Sequence, residues 1–339
     1  MNSNKVKIEI STATILKIIG VFALVWFLYA IREIVVLFFV VLVIVAALGP
    51  LVDRMSKHIP RVLSVVILFL AFLGILTAIG FLIIPPIVNQ IGQLANNLPF
   101  YIDKFGPILS NYQNSLGNYQ EGLLNISSQL SKFSSGLYTT TVGFISGLVG
   151  AITILILSFY MLLEQNALKH FLHQTLPLEH KEKIFDIFRK IGEKMGGWFR
   201  GQILLMIVIG ALYGIALPIV GVPYALTLAV WGGLTEVIPY VGPWLGLVPA
   251  LIIAFTVSPL TALIVLIIYL VIQQLESQFL APKIMGKAVG LSPVIIILAL
   301  LAGAKLMGVT GMIIAVPAAG AISVLIQEWL NLKKIRENA

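Results

Sequence analysis

The sequence predicts an all-α polytopic membrane protein, on the strength of its composition and the length of its apolar runs. Hydrophobic residues make up 59% of the 339 positions and charged residues only 11%, and the mean hydropathy is +1.03. Such a chain has too few polar side chains to cover a soluble globule. Because its apolar runs are long rather than alternating, the membrane spans are helices and not the strands of a barrel. By the length that a bilayer requires, we count about eight hydrophobic segments.

Charge and residue types exclude several classes of function. The formal net charge of +8 matches the excess of Lys and Arg in the cytoplasmic loops of membrane proteins, so we expect no nucleic-acid partner. The chain has no cysteine, which excludes disulfides and thiol chemistry. Its spans show no metal-ligand spacing, no phosphate-binding glycine loop and no cluster of Ser, His and Asp. We therefore predict that the protein is not an enzyme and uses no cofactor or bound metal.

Residues 1–84 are predicted to form the N-terminal membrane helices. We interpret the adjacent apolar runs at 18–31 and 34–52 as a helical hairpin, and a third span covers 62–84. The loop before this third span is basic, which favours a cytoplasmic position for the loop and for the N-terminus. The segment 85–140 is then expected on the outer side.

That outer segment is predicted to be a long amphipathic helical region. Its apolar residues recur at alternating steps of four and three from Leu94 to Leu137, with one extra step of four after Tyr112. This is a heptad seam with a stutter, and Pro107 is expected to divide it into two helices. The seam has two interpretations, a contact between protomers of an oligomer or packing on the protein's own surface and the lipid headgroups.

Residues 141–200 are predicted to hold a fourth span, at 141–163, followed by a cytoplasmic interfacial helix. Seven Lys or Arg residues lie between 164 and 200, against two between 85 and 140. This contrast supports the predicted orientation. Apolar residues from Ile184 to Phe199 mark one helical face with basic residues beside it, as in a helix that lies at a membrane surface.

Residues 201–330 are predicted to form the core of the protein, followed by a cytoplasmic tail at 331–339. A fifth span at 202–220 precedes an apolar stretch, 224–255, that is too long for one crossing and too short for two. A complete span at 260–274 then leads to a second interrupted stretch. We interpret the two stretches as re-entrant hairpins of inverted orientation, separated by one span. The alternative is that Gly and Pro simply recur in membrane helices for close packing.

Both interrupted stretches carry one glycine and proline pattern. The spacing is P-x9-G-x8-G-x6-P in the first and P-x9-G-x7-G-x5-P in the second. Proline lacks an N–H and glycine allows unusual backbone angles, so we expect freed carbonyl groups at each break. The predicted hinge residues are Gly233, Pro239, Gly242, Pro243, Pro249, Gly303, Gly308, Gly311 and Pro317.

Five short motifs carry a resemblance to a known family. They are Trp198-Phe-Arg-Gly-Gln202, Gly221-Val-Pro-Tyr-Ala225, Ile238-Pro-Tyr-Val-Gly-Pro243, Gln274-Leu-Glu276 with Met285-Gly-Lys287, and Ala315-Val-Pro317. With them the chain resembles the autoinducer-2 exporter family of bacterial membrane proteins. The resemblance implies a multi-pass inner-membrane protein that exports a small furanone signal or exchanges sodium or lithium for protons. It also implies a homo-oligomer, with a pentamer as one form.

Charged and polar residues near the breaks are the candidate transport residues. A carboxylate inside hydrocarbon costs about 2.5 kcal/mol or more, so Glu236 is the first candidate for proton coupling. The alternative is a structural ion pair with Lys305, or a position facing a water-filled vestibule. Gln273, Gln274 and Glu276 form a polar patch that acts either as a gate or as a boundary at the membrane surface. Two interfacial residues could attract an anionic substrate, namely Arg200 and Lys287.

The sequence therefore predicts a secondary transporter of a small polar metabolite or a monovalent cation, coupled to protons and surrounded by membrane lipid. Two alternatives remain at this point. A passive oligomeric pore would conduct without a proton gradient, and a membrane scaffold would not transport at all.

Overall fold

The computed structural model describes residues 30–75, 152–164, 181–285 and 290–337, scattered positions between 19 and 29, and positions 77, 78 and 85; side chains are described as far as residue 331. These residues form helices, turns and short connections, with no strand among them. The all-α prediction is confirmed. The outer segment 85–140 apart from its first residue, the residues 165–180 and Lys287 lie outside the described residues.

Three helices form the N-terminal part of the described fold. Helix α1 is Arg32–Met55, α2 is Arg61–Ile75 and α3 is Ile152–Leu163. They pack around Val52, Val65, Phe69 and Leu162, which form an apolar cluster of their own. Across it, Arg61 of α2 donates from Nε to the Leu162 carbonyl oxygen and from Nη1 to Asp53, each at 2.8 Å.

The predicted hairpin between 18–31 and 34–52 is wrong. The described positions from 19 to 30 are helical. The Ile31 N–H donates to the Phe27 carbonyl oxygen, and the Val35 N–H donates to the Ile31 carbonyl oxygen, both at 3.0 Å. Ile31 itself is a turn residue with φ −95° and ψ 13°. The break between the helical positions 19–30 and α1 is therefore one residue with helical hydrogen bonds on both sides, which is a kink and leaves no loop for a hairpin. The cytoplasmic position of the N-terminus was inferred from two membrane crossings before the basic loop. Without the hairpin, that inference no longer holds.

Helix α4, Lys181–Ile219, is the longest uninterrupted helix described. The interfacial helix and the fifth span that the sequence predicted as separate elements are its two halves. It contacts the other parts of the fold at small residues. A Cβ at Gly196 would collide with the Ala46 carbonyl of α1, and a Cβ at Gly233 would collide with the Met206 carbonyl of α4. Backbones approach this closely only where a side chain is absent.

The remaining helices form the core around α4. Helix α5 is Ala225–Thr235, α6 is Gly242–Val257, α7 is Pro259–Leu275, α8 is Ala281–Met285 and α9 is Pro293–Glu337. Buried residues of α4, α5, α6 and α7 make one large apolar cluster. Lys190 of α4 joins the end of α9 through Glu328, with 2.7 Å between Nζ and the carboxylate.

Among the described residues, four helices are long and apolar enough to cross a membrane. They are Arg32–Met55, Lys181–Ile219, Pro259–Met285 and Pro293–Asn331. Four shorter apolar helices accompany them, so the protein is a multi-pass membrane protein.

Candidate transport site

The first interrupted stretch folds as a helical hairpin. Helix α5 ends at Thr235 and α6 begins at Gly242, so six residues connect two helices of 11 and 16 residues. At 1.5 Å per residue they are about 16 and 24 Å long, each shorter than the roughly 30 Å hydrocarbon core. A Cβ at Gly242 would collide with the Thr235 carbonyl, and a Cβ at Gly246 would lie 3.0 Å from Gly232 Cα. Glycine therefore permits both the turn and the close packing of the two arms.

The second interrupted stretch also reverses direction. Within α9, Met307 has φ −146° and ψ 19°, and Gly308 has φ 60° and ψ −137°. These angles end one arm at residue 306 and start the next at 309. Gly303 and Gly311 face each other so closely that a Cβ on either would collide with the other's carbonyl. Residues eight apart in a continuous helix lie about 12 Å apart, so this contact requires a hairpin.

Two tyrosines adopt left-handed backbone angles next to the first hairpin. Tyr224, before α5, has φ 58°, and Tyr240, in the connection, has φ 64°. A bulky residue rarely takes such angles, and they cost about 1–3 kcal/mol each unless the surroundings impose them. Tyr240 lies between Pro239 and Val241, whose N–H donates to the Pro239 carbonyl oxygen at 2.8 Å. The motif Ile238-Pro-Tyr-Val-Gly-Pro243 thus specifies a sharp, strained connection.

Prolines inside two helices free carbonyl groups, and defined side chains bind them. Pro249 cannot donate to Leu245, and the Leu245 carbonyl oxygen instead accepts a hydrogen bond from Trp231 Nε1 at 3.0 Å. Pro50 likewise leaves the Ala46 carbonyl of α1 without its helical donor, and Arg200 Nη1 donates to it at 3.1 Å. A buried carbonyl without a donor costs about 1–3 kcal/mol. These contacts replace the missing backbone bonds.

Glu236 is the first residue after α5 and is deeply buried. Its exposed fraction is 1%, and within the part of the chain that the structure describes neither carboxylate oxygen has a hydrogen-bond partner. Its backbone carbonyl accepts a hydrogen bond from Nε2 of Gln202, a residue of α4 that is 3% exposed. Because Nε2 is committed to that carbonyl, Gln202 presents its acceptor Oε1, which is also unpaired. Both side chains therefore offer buried acceptor oxygens at this position.

Helix α7 supplies further polar groups on one face. Tyr269, Gln273 and Glu276 follow one another at steps of four and three, which places them on the same side of the helix. Gln273 Nε2 donates to Glu276 Oε2 at 3.3 Å, while Gln273 Oε1 is buried without a partner. Gln273 and Glu276 thus form a polar pair at the C-terminal end of α7.

Two stacked tyrosines, one from α4 and one from α7, pack against the arms of the first hairpin. The rings of Tyr213 and Tyr269 are 4.0 Å apart between centroids, and the Tyr269 hydroxyl donates to the Gly246 carbonyl oxygen at 3.2 Å. A Cβ at Gly232 would lie 2.8 Å from the Tyr213 ring. The first hairpin is therefore held against α4 and α7 by aromatic rings that leave no room beside its glycines.

After Leu275 the chain forms a short π-helix, Glu276–Leu280. Pro282 explains it, because this residue has no N–H and its ring clashes with the carbonyl four residues earlier. The Ala281 N–H then bonds to the Glu276 carbonyl oxygen, five residues back. Such single turns are frequent at functional sites, and this one begins at a candidate transport residue.

The structure separates the other predicted residues from this cluster. Lys305 lies exposed on the first arm of the second hairpin, and it does not pair with Glu236, whose carboxylate has no hydrogen-bond partner. Gln274 points away from Gln273 and is exposed. Arg200 binds the α1 backbone, as described above. Pro317 is buried in the second arm.

Sequence analysis missed three members of the cluster, Gln202, Tyr213 and Tyr269. Gln202 is a polar residue at the start of an apolar run and closes the motif that begins at Trp198, which is a usable signal. The two tyrosines gave no such signal in the sequence, since aromatic residues in membrane helices are common.

Comparison with known proteins assigns the family. The model of the AI-2E family transporter matches residues 15–331. The chain belongs to the AI-2E transporter family. YueF of Bacillus subtilis, named as a candidate transport protein, is 31% identical over 305 residues, which are 86% of this chain and 83% of YueF. YrrI of the same organism, named in the same way, is 30% identical over 82% of this chain and 81% of its own length.

More distant AI-2E relatives match a shorter region. A Thermotoga maritima protein, also named as a candidate transport protein, is 30% identical over 164 residues, or 48% of this chain and 49% of its own. The family membership, the transport names of the relatives and the multi-pass helical fold together support a transport role in a membrane.

Proposed function

We propose that this AI-2E family member is a proton-coupled secondary transporter in the bacterial inner membrane, and that Glu236 is its coupling residue. The single observation that supports this role is a fully buried carboxylate, in the connection of a membrane hairpin, with no hydrogen-bond partner on either oxygen among the described residues. An ionised carboxylate without a partner costs several kcal/mol in such surroundings. Glu236 therefore holds either a proton or a cation, and exchange between the two is the step that couples a carrier.

The unpaired buried oxygens of Glu236 and of two glutamines favour a small positive species as the alternating occupant of Glu236. Glu236 Oε1 and Oε2, Gln202 Oε1 and Gln273 Oε1 are all buried acceptors without donors. A proton or a monovalent cation satisfies acceptor oxygens, whereas an anion does not. The transported solute is a monovalent cation or a small polar metabolite that contacts this cluster.

The experiment is flux in proteoliposomes under an imposed pH gradient, with sodium, lithium and a furanone signal compared as solutes. We expect the wild type to show flux that depends on the gradient, and Glu236→Gln to reduce it to the level of protein-free liposomes. The amide keeps the size of the side chain, and the carboxylate makes no hydrogen bond that could be lost. The variant should therefore remain folded, which size-exclusion chromatography checks.

Glu164→Gln is the matched control, because Glu164 lies exposed directly after α3. This variant should keep the wild-type flux. Normal coupled flux in Glu236→Gln would refute the coupling role, and gradient-independent ion flux in both proteins would favour a pore.

The predicted homo-oligomer is part of the proposal as well, with five protomers as the form that native mass spectrometry should detect.

A further inference from the structure

The structure contains a cavity of about 250 Å³ between the N-terminal helices and the core. It lies where three separate parts of the fold meet. Described residues of α1, α2 and α3 form one side, residues of α4 form the floor, and the two hairpins close the end through Val237 and Pro317. Of the residues in the transport cluster, its lining includes Gln202.

The wall of the cavity is hydrocarbon. Its described lining is aliphatic and aromatic apart from Gln202, and no polar atom faces the space. Gln202 contributes only carbon surface, because its Nε2 binds the Glu236 carbonyl and its Oε1 is buried. Water needs two to four polar partners to occupy a cavity, and an apolar cavity of about 150 Å³ stays dry yet takes up benzene. Water therefore does not fill this larger space.

The depth and the opening of the cavity identify the source of its occupant. Val40 to Leu48 line it from the middle of α1, a helix that is long and apolar enough to span the membrane. The space is not fully enclosed. Two of its lining residues, Phe72 and Ile203, are 38% and 39% exposed, and both lie on helices with apolar exposed surfaces, as expected for helices in contact with lipid. A hydrocarbon chain from the surrounding lipid can enter there.

We propose that the cavity binds one acyl chain of a membrane lipid. The chain lies between the N-terminal helices and α4, and its end contacts Val237 beside Glu236 together with Ile313 and Pro317 of the second hairpin. It replaces the dispersion contacts that these side chains lack across an empty space. The lipid thereby becomes part of the packing between the N-terminal helices and both hairpins.

The test is photochemical labelling of the wild-type protein in bilayers of a phosphatidylcholine whose acyl chain carries a diazirine. Labelled peptides are mapped by mass spectrometry. Val43 and Trp198 line the cavity and are only 4% and 3% exposed, so lipid at the protein surface does not reach them. We expect adducts at these two buried residues as well as at Ile215, which is 63% exposed and serves as the surface reference.

Adducts at Ile215 without any at Val43 and Trp198 would overturn the proposal, because the cavity would then be closed to lipid or filled by another part of the chain. Two variants that fill the space from different helices, Val43→Phe and Leu155→Phe, should each remove the buried adducts and leave the adduct at Ile215 unchanged. Persistent labelling of Trp198 in both would likewise contradict a single chain in this cavity. None of these outcomes depends on proton coupling.

Discussion

At the residue scale, the prolines of this protein act through the carbonyl groups that they free. Sequence analysis predicted freed carbonyls at the breaks, and the structure shows the donor for one beside a predicted hinge proline and for another in α1, where no break was predicted. Trp231 binds the Leu245 carbonyl four residues before Pro249, and Arg200 binds the Ala46 carbonyl four residues before Pro50. The sequence locates these free carbonyl groups because a proline has no N–H for the carbonyl four residues before it. It could not identify the donors, which come from another helix.

This pairing predicts a specific dependence between Trp231 and Pro249. Trp231→Phe should lower stability by about 1 kcal/mol, because the Leu245 carbonyl loses its donor. In a Pro249→Ala background the new N–H supplies the helical hydrogen bond, so the same substitution should cost less than half as much. Thermal unfolding of the four proteins of this double-mutant cycle measures both effects. Equal costs in the two backgrounds would show that the indole acts by packing alone.

Glu236 could be recognised as a candidate from the sequence, whereas the role of Gln202 could be recognised only from the structure. A carboxylate inside an apolar stretch is visible in the sequence, and its cost in hydrocarbon makes it a candidate without further knowledge. The orientation of Gln202 is not visible. Only the contact of its Nε2 with the Glu236 carbonyl decides that its oxygen is the atom left for a proton or a cation.

At the element scale, the two interrupted stretches are helical hairpins with glycines at their contacts. The spacing of Gly and Pro predicted both breaks, since these residues act on their own backbone. The contact between Gly303 and Gly311 follows from the turn at Gly308. By contrast, the predicted hairpin after residue 31 was wrong, because the break there is the single residue Ile31, with helical hydrogen bonds before and after it and no loop in which the chain could reverse.

Gly303→Ala should destabilise the second hairpin. A Cβ at this position collides with the Gly311 carbonyl, so the arms must separate, which costs about 1–3 kcal/mol for an overpacked contact. Gly192→Ala is the control, since α4 leaves open space around Gly192; it should be neutral or stabilising by up to about 1 kcal/mol. Melting temperatures in detergent compare the two. A Gly303→Ala protein as stable as the wild type would show that the arms adjust freely.

At the scale of the whole molecule, the inverted arrangement of the hairpins remains a prediction. Helix α7 lies between them, and the span Pro259–Met285 is long enough to cross the membrane. Ser258 precedes α7, Ser277 follows it and Ser292 precedes the second hairpin. If α7 crosses the membrane, the first hairpin has its ends on one side and the second begins on the other.

Single cysteines test this arrangement, because the chain has none of its own. With a membrane-impermeant maleimide, Ser258→Cys should label from one side of the membrane, and Ser277→Cys and Ser292→Cys from the opposite side. Right-side-out and inverted vesicles distinguish the sides. Labelling of Ser258→Cys and Ser292→Cys from the same side would refute the inversion, and Ser277→Cys shows whether α7 itself crosses.

The sequence by itself determined that the protein lies in a lipid bilayer, that it is helical, and where both hairpin breaks occur. These properties depend on hydrophobic content, on segment length and on residues that act on their own backbone. Only the tertiary structure decided that α4 is one helix in contact with α1, α5, α7, α8 and α9, that Gln202 binds the Glu236 carbonyl, and that an apolar cavity lies between α1–α3 and the core. Those features depend on which distant side chains meet, and a one-dimensional pattern does not specify such contacts.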